Sequence, residues 1–254
     1  MSLLPLKTAL ITGAAHRIGR AMALALAKEG WSVAIHFHRS HEAAFSLVDD
    51  IVAAGGQGVA VQADLASEDE VLTLVPAAVE ALGPLQLLVN NASRFEQDSA
   101  LTVTRASWDA HLETNLRAPF VLTQSFAAQL PEDAEGVVVN MLDQRVWNLT
   151  PHFTSYTLSK AGLWALTQTL ALALAPRIRV NAIGPGPTLP SPRQTAEQFD
   201  RQCAEMPLKR GTTPEEIAAA LRFILSSPAM TGQLIALDGG QHLCWAPSGK
   251  PPEE

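Results

Sequence analysis

The stretch Thr8-Ala9-Leu10-Ile11-Thr12-Gly13-Ala14-Ala15-His16-Arg17-Ile18-Gly19 decides the fold. Thr8–Thr12 is β-branched and apolar and reads as a buried strand. A glycine-bearing turn follows at once. Ala21–Glu29 then continues with helical periodicity, and Gly30 stands where a helix C-terminal cap belongs. In a strand, glycine turn and helix of this kind, N–H groups at the helix N-terminus can face a pyrophosphate. Two glycines six residues apart need be no more than a tight turn. Their place directly after the first strand is what points to a dinucleotide.

The rest of the chain repeats the alternation. Val33–Phe37, Gly58–Gln62, Leu85–Asn90, Val137–Met141, Arg179–Ile183 and Leu234–Leu237 read as further buried strands, separated by helix-periodic segments. Strands apolar on both faces and spaced by helices predict a parallel sheet covered on both sides. Ser67 with Glu70, and Thr213 with Glu216, fit capping boxes, and Pro214 suits a first helical position. There is neither an internal repeat nor an interdomain linker. The Pro-rich Gly184–Pro192 reads as a loop leaving a strand end. One domain is expected over residues 1–246, with a substrate loop at about Thr188–Pro207 and a Pro-rich polar tail from Pro247 to Glu254.

Composition narrows the class. Of 254 residues, 47% are apolar, enough for a sizeable core. Acidic residues outnumber basic ones, 25 to 18, so a global basic footprint for nucleic acid or an anionic membrane is missing. Cys203 and Cys244 are far apart and suggest neither a disulfide framework nor a cysteine zinc site. Met1–Leu10 lacks a basic region before its short apolar stretch, so no signal peptide is expected. No apolar run approaches the roughly 18 residues of a membrane helix. Leu163–Leu174, interrupted by Gln168 and two threonines, is expected to be buried or to face another subunit. The expected setting is the cytoplasm, where the acceptor pattern Asn148-Leu149-Thr150 would go unglycosylated.

The chemistry-bearing residues follow. Dinucleotide sites that prefer NAD commonly end the second strand with an acid on the ribose 2′-hydroxyl. Here the strand ends His36-Phe37-His38-Arg39-Ser40, and no acid occurs before Glu42. Arg39 and Ser40, with Arg17, instead suit a 2′-phosphate. His36, His38 and His41 invite a metal reading, but no cysteine or carboxylate set accompanies them, and no metal is expected. Tyr156, the only tyrosine, and Lys160 share one helix face by their i, i+4 spacing. A neighbouring ammonium lowers a phenol's pKa and suits it to proton transfer.

Taken together, Thr12-Gly13-x-x-x-Arg17-x-Gly19, Asp64-Leu65, Asn90-Asn91-Ala92, Asn115, Tyr156-x-x-x-Lys160, Pro185-Gly186 and Asp238-Gly239-Gly240 resemble the short-chain dehydrogenase/reductase family in kind and order, from about Lys7 to Leu243. The resemblance implies a single-domain, doubly wound Rossmann fold of about seven parallel strands that binds NADP or NADPH. It places Gly13, Arg17, Ile18 and Gly19 at the pyrophosphate turn. His36, His38, Arg39 and Ser40 fall among the cofactor contacts, Asp64 and Leu65 beside the adenine, and Asn90 and Ala92 along the cofactor. Pro185 and Gly186 fall at the nicotinamide side. Tyr156 becomes the catalytic acid/base, Lys160 the residue that holds the ribose and tunes it, and Asn115 the support of a proton-relay water.

Two departures stand out. Arg17 replaces the middle glycine of the turn. Asp143, 13 residues before Tyr156, replaces the family's catalytic serine. An ionised carboxylate cannot donate to a carbonyl and would repel a developing alkoxide. Both departures, His36-x-His38-Arg39-Ser40 and Asn90-Asn91-Ala92-Ser93-Arg94-Phe95 resemble the pteridine reductase branch. There the phenylalanine stacks on the pterin, which makes Ser93, Phe95, Asp143 and Tyr156 the substrate contacts. The implied activity is NADPH-dependent reduction of a dihydropterin. The alternatives are an NADP-dependent carbonyl reductase, or a retired dinucleotide-binding sensor or scaffold. The resemblance also implies a homotetramer, paired through helices around Trp108–Gln129 and Tyr156–Ala175.

Overall fold

The computed structural model of the chain describes residues 7–191 and 193–244. The tail from Pro247 lies outside the described residues. The seven strands are β1 Thr8–Ile11, β2 Ser32–Phe37, β3 Gln57–Gln62, β4 Leu87–Asn90, β5 Gly136–Met141, β6 Ile178–Pro185 and β7 Leu234–Leu237. They form one sheet in the order β3-β2-β1-β4-β5-β6-β7, and every pairing is parallel. The helices are α1 Arg17–Lys28, α2 His41–Ala53, α3 Glu68–Leu82, α4 Arg105–Leu112, α5 Ala118–Gln129, α6 Thr154–Ala173, α7 Ala196–Glu205 and α8 Pro214–Leu225.

β1 shows why the strands read as continuous apolar runs. Ile11 packs with Met22, Leu26, Leu47 and Leu221 on one face of the sheet, while Leu10 packs with Leu74, Val75 and Phe126 on the other. Because side chains alternate across a strand, burial on both sides favours an apolar residue at most positions. The chain runs outward from β1 to β3 and then returns to β4 on the far side of β1. This reversal opens a crevice at the C-terminal ends of β1 and β4, where doubly wound folds hold ligands.

The helix ends partly follow expectation. Gly30 (φ +80°) closes α1: its N–H bonds to Ala27 O, and Trp31 N–H bonds to Leu26 O. This is the paired bonding of a left-handed glycine cap. Thr213 and Glu216 form their capping box on α8. Ser67 and Glu70 do not. Ser67 sits at the N-cap of α3, but its hydroxyl caps nothing, and the Glu70 carboxylate accepts Asp64 N–H at 2.7 Å. Asp64 Oδ1 turns the chain back by taking Ala66 N–H, leaving its own N–H for Glu70.

Two expectations of form are corrected. The segment around Trp108–Gln129 is not one regular helix, because a π-helical stretch, Glu113–Arg117, separates α4 from α5. Asn115, at its centre, is buried and bound to Arg94 and Ser159, and π-bulges of this kind gather at functional sites. The Thr188–Pro207 segment is not all loop. Thr195 and Gln198 form a capping box that opens α7.

Candidate active site

The phosphate turn is held from behind. Gly13 adopts φ +61°, and its N–H donates to His36 Nδ1 at 3.0 Å. His36 Nε2 therefore carries the ring proton and donates to Ala63 O at 3.0 Å. Burial pushes the His36 pKa down to about 4, so the ring stays neutral. His36, expected among the cofactor contacts, thus has no nitrogen left for a ligand and instead braces the turn. Thr12 Oγ1 accepts the N–H groups of Asn91 and Ala92, and Asn91 Nδ2 donates to the carbonyls of Thr12 and Gly13. These bonds tie the ends of β1 and β4 together. Only glycine fits at position 19, where a Cβ would lie 2.5 Å from Gly13 O. No side chain caps the N-terminus of α1, leaving first-turn N–H groups available. Arg17, at φ 52°, reaches across the crevice and donates to Leu189 O and Pro190 O at 3.1 and 2.9 Å. It thereby ties the segment that begins at Thr188 to the turn.

At the end of β2, Arg39 is exposed and Ser40 precedes α2 with a hydroxyl that caps nothing. His38 Nε2 lies 3.6 Å from Asp64 Oδ2, and Leu65 is buried beside them. His41 turns away from this group and stacks on Phe45. Among the described residues no three His, Cys, Asp or Glu side chains converge as a metal site. Asn90 is buried at the end of β4, where Nδ2 donates to Asn140 and Oδ1 has no partner. At the end of β6, a Cβ on Gly186 would meet Asp238 Cα at 2.7 Å, so this loop needs a glycine next to Pro185.

The reactive groups meet past the end of β5. Asp143 opens a short 3-10 turn, Gln144–Val146, and Oδ1 caps it by accepting Arg145 N–H at 2.8 Å. Its other oxygen, Oδ2, accepts the Tyr156 hydroxyl at 2.9 Å. Lys160 lies one helical turn on from Tyr156, fully buried, with Nζ donating to Met141 O at 2.8 Å and 5.8 Å from the Tyr156 ring centre. Burial pushes its pKa down to about 8, against a smaller opposing pull from Asp143. Asn115 clamps the main chain of Arg94 through both its amide atoms and donates to Ser159 Oγ.

Phe95 stands edge-on to Tyr156, with ring centres 4.6 Å apart, and stacks one face on the buried Phe153 at 4.7 Å. The Arg145 guanidinium lies over the rings of Phe95, Phe153 and Tyr156. Arg193, from the Thr188–Pro207 segment, bonds Phe95 O and Glu96 and lies 5.5 Å from the Phe95 ring centre. Ser93 is exposed and reaches only Arg94 O, at 3.4 Å. The structure therefore brings Phe95, Asn115, Asp143, Tyr156 and Lys160 together, with Ser93 exposed two residues before Phe95. Sequence reasoning missed the supporting roles of Thr12, Asn91 and Ser159, and missed Arg145 and Arg193 altogether. Thr12 and Asn91 had a signal, since both stand inside the motifs quoted.

Comparison with known proteins places the chain in a family. The family model described as enoyl-(acyl carrier protein) reductase matches residues 13–242. The 3-oxoacyl-(acyl-carrier-protein) reductase FabG of Staphylococcus epidermidis is 34% identical over 242 residues, covering 93% of this chain and 99% of its own. FolM alternative dihydrofolate reductase 1 from Brucella suis, solved in complex with NADP, superposes with a TM-score of 0.92 at 49% identity, covering 94% of this chain and 96% of that one. A blue fluorescent protein from a metagenomic library, solved with NADPH, superposes with a TM-score of 0.87 at 31% identity, covering 93% and 98%. Similarity of this extent, on a seven-stranded parallel sheet with Tyr156 and Lys160 at its crevice, makes this chain a member of the short-chain dehydrogenase/reductase family.

Proposed function

We propose that this chain is an NADPH-dependent reductase of a pteridine carbon–nitrogen double bond, of the dihydropterin or dihydrofolate kind. The observation that carries the reading is the 2.9 Å hydrogen bond from Tyr156 to Asp143. A carboxylate that accepts from a phenol stabilises its neutral form. Tyr156 is thus held as a loaded acid, which suits protonation of a basic ring nitrogen. It does not suit polarising a carbonyl, for which a donor is needed at position 143.

The chain's own groups fit a dinucleotide phosphate. The uncapped N-terminus of α1 and the glycine-only approach at Gly19 suit a pyrophosphate. The exposed Arg39 and the free Ser40 hydroxyl suit a 2′-phosphate, with His38 beside them. Asp64 and Leu65 would flank the adenine, and the orphaned Asn90 Oδ1 and the Ala92 main chain would face the sugar side. Pro185 and Gly186 would border the nicotinamide. NADP-bound structures of similar proteins support the same cofactor.

When bound, the reduced nicotinamide supplies a hydride to the substrate carbon. The π pair of the C=N bond moves onto nitrogen, which takes the Tyr156 proton. Lys160 opposes the negative charge left on the phenol, and Asp143 takes up and passes on a solvent proton to reload it. Phe95, with Ser93 beside it, would align the flat ring over Tyr156. Asn115 keeps the Phe95 segment against the helix that carries Tyr156.

A turnover screen across dihydropterins, dihydrofolate, 3-oxoacyl thioesters and small ketones tests the substrate. Efficient pterin reduction supports the reading. Good ketone or thioester turnover with none on pterins replaces it with the carbonyl-reductase reading, which the 34% identity to FabG favours. NADPH bound without turnover on any substrate leaves the sensor. Arg39→Ala is expected to raise the KM for NADPH by about 10–100-fold, the worth of a charge-assisted bond, with little change for NADH. Equal wild-type affinity for both cofactors contradicts the assignment. The reading also includes a cytoplasmic homotetramer. Its two cysteines, unpaired in the fold, suit a reducing compartment. Light scattering at micromolar concentration should give a tetramer mass, and a monomer mass overturns it.

A further inference from the structure

Behind Tyr156 lies a buried polar cluster that the reaction above does not use. Asp98, on the loop after β4, Ser107 and His111, on α4, and Ser155, at the start of α6, converge there. His111 and Ser155 are fully buried, and Asp98 nearly so. Asp98 Oδ1 accepts Ser155 N–H at 3.1 Å, and Oδ2 accepts the hydroxyls of Ser155 and Ser107. Asp98 O also accepts Phe153 N–H at 2.9 Å. α6 begins after Phe153, a left-handed residue (φ 57°) whose side chain cannot cap a helix. Asp98, 57 residues earlier in the chain than Ser155, therefore supplies the missing cap, with its charge at the favourable end of the helix dipole.

His111 completes the cluster. Glu96 N–H donates to its Nε2 at 3.0 Å, so the ring proton is on Nδ1. Nδ1 lies 2.7 Å from Ser155 Oγ and 2.9 Å from Ser107 O. A directed chain follows: His111 donates to Ser155, and Ser155 donates to Asp98. The residue types are those of a nucleophilic triad, but the wiring is not. The carboxylate bonds the serine rather than the histidine, and the serine has no access to solvent.

What the cluster touches assigns its role. The His111 ring is edge-on to Tyr156, with centres 6.1 Å apart. Glu96, whose N–H it holds, adjoins Phe95, which is itself edge-on to Tyr156. We propose that Asp98, Ser155 and His111 form a positioning joint that sets the Tyr156 hydroxyl relative to the Phe95–Glu96 segment. The joint rests on the role given to Tyr156 above.

Tyr156 is the chain's only tyrosine, so its phenolate absorbance can be titrated without another phenol contributing. Ser155→Ala removes the hydroxyl shared by Asp98 and His111, and Ser155→Thr keeps it. In the NADPH-bound enzyme, Ser155→Ala is expected to lower kcat for dihydropterin about tenfold or more, the scale of a small misplacement, with NADPH affinity within about twofold of wild type. The phenol titration should shift as the hydroxyl moves relative to Asp143 and Lys160. Ser155→Thr should restore both. If Ser155→Ala does not fold, His111→Gln, whose amide oxygen can still take the Glu96 N–H, should give the same shift. A phenol titration unchanged by the substitution overturns the joint. If wild type turns over no pterin, the substrate reading fails, while the titration still decides the joint.

Discussion

Tyr156→Phe is expected to lower turnover about 10²–10⁴-fold, the usual worth of a general acid, with NADPH affinity nearly unchanged. The substitution removes one hydroxyl whose bond is to Asp143, and leaves the ring edge-on to Phe95. Loss of both turnover and cofactor binding would instead mark Tyr156 as structural. The wild-type pH profile carries a second signature. The buried Lys160 loses its proton near pH 8, so reduction should decline above that value as the phenol loses its neighbouring cation. Stability should move the other way. The folded-state pKa lies below the ordinary 10.5, so the unfolded chain binds the proton more tightly. Folding stability from this group is therefore poorest below about 8 and recovers as pH rises toward 10.5. Activity and melting temperature measured in parallel check the sign, with Lys160→Met as the control that should lack the recovery.

Asp143 should produce the second large effect, in opposite directions for two substrates. Asp143→Asn keeps the size of the side chain but removes the charge that holds the Tyr156 proton in place. Dihydropterin turnover should fall by about 10²-fold, the lower end of general acid–base contributions. Asp143→Ser places a hydroxyl donor where a carbonyl oxygen would gain charge, so ketone reduction should rise while pterin reduction falls. Full pterin activity in Asp143→Asn would mean that the carboxylate plays no part in proton delivery. The carbonyl-reductase reading would then be the stronger one.

The location of the site was legible in the sequence, and its internal wiring was not. Gly13 and Gly19 announce a turn because a left-handed φ and a close backbone approach are local demands that glycine alone meets. The placement of Arg39 and Ser40 just after β2 is equally local, and their role at a 2′-phosphate belongs to the proposal. The type and place of His36 suit a ligand contact. Alternation along β2 could not say that both ring nitrogens would be consumed by Gly13 and Ala63. Phe95 was expected to await a flat ligand, yet one of its faces already rests on Phe153.

By itself the sequence determined the parallel, doubly covered sheet, the glycine turn after β1 and the shared helix face of Tyr156 and Lys160. The sheet follows from apolar runs spaced by helix-periodic segments, the turn from glycine's steric freedom, and the shared face from the 3.6-residue helical period. Only the tertiary structure decided which proton partner Tyr156 has, which tautomers His36 and His111 hold, what caps α6, and that Arg17 bonds the carbonyls of Leu189 and Pro190. Those contacts join residues from 13 to 173 positions apart. Their geometry is set by where the ends of β1, β4, β5 and β6 come together, and no local spacing encodes that meeting.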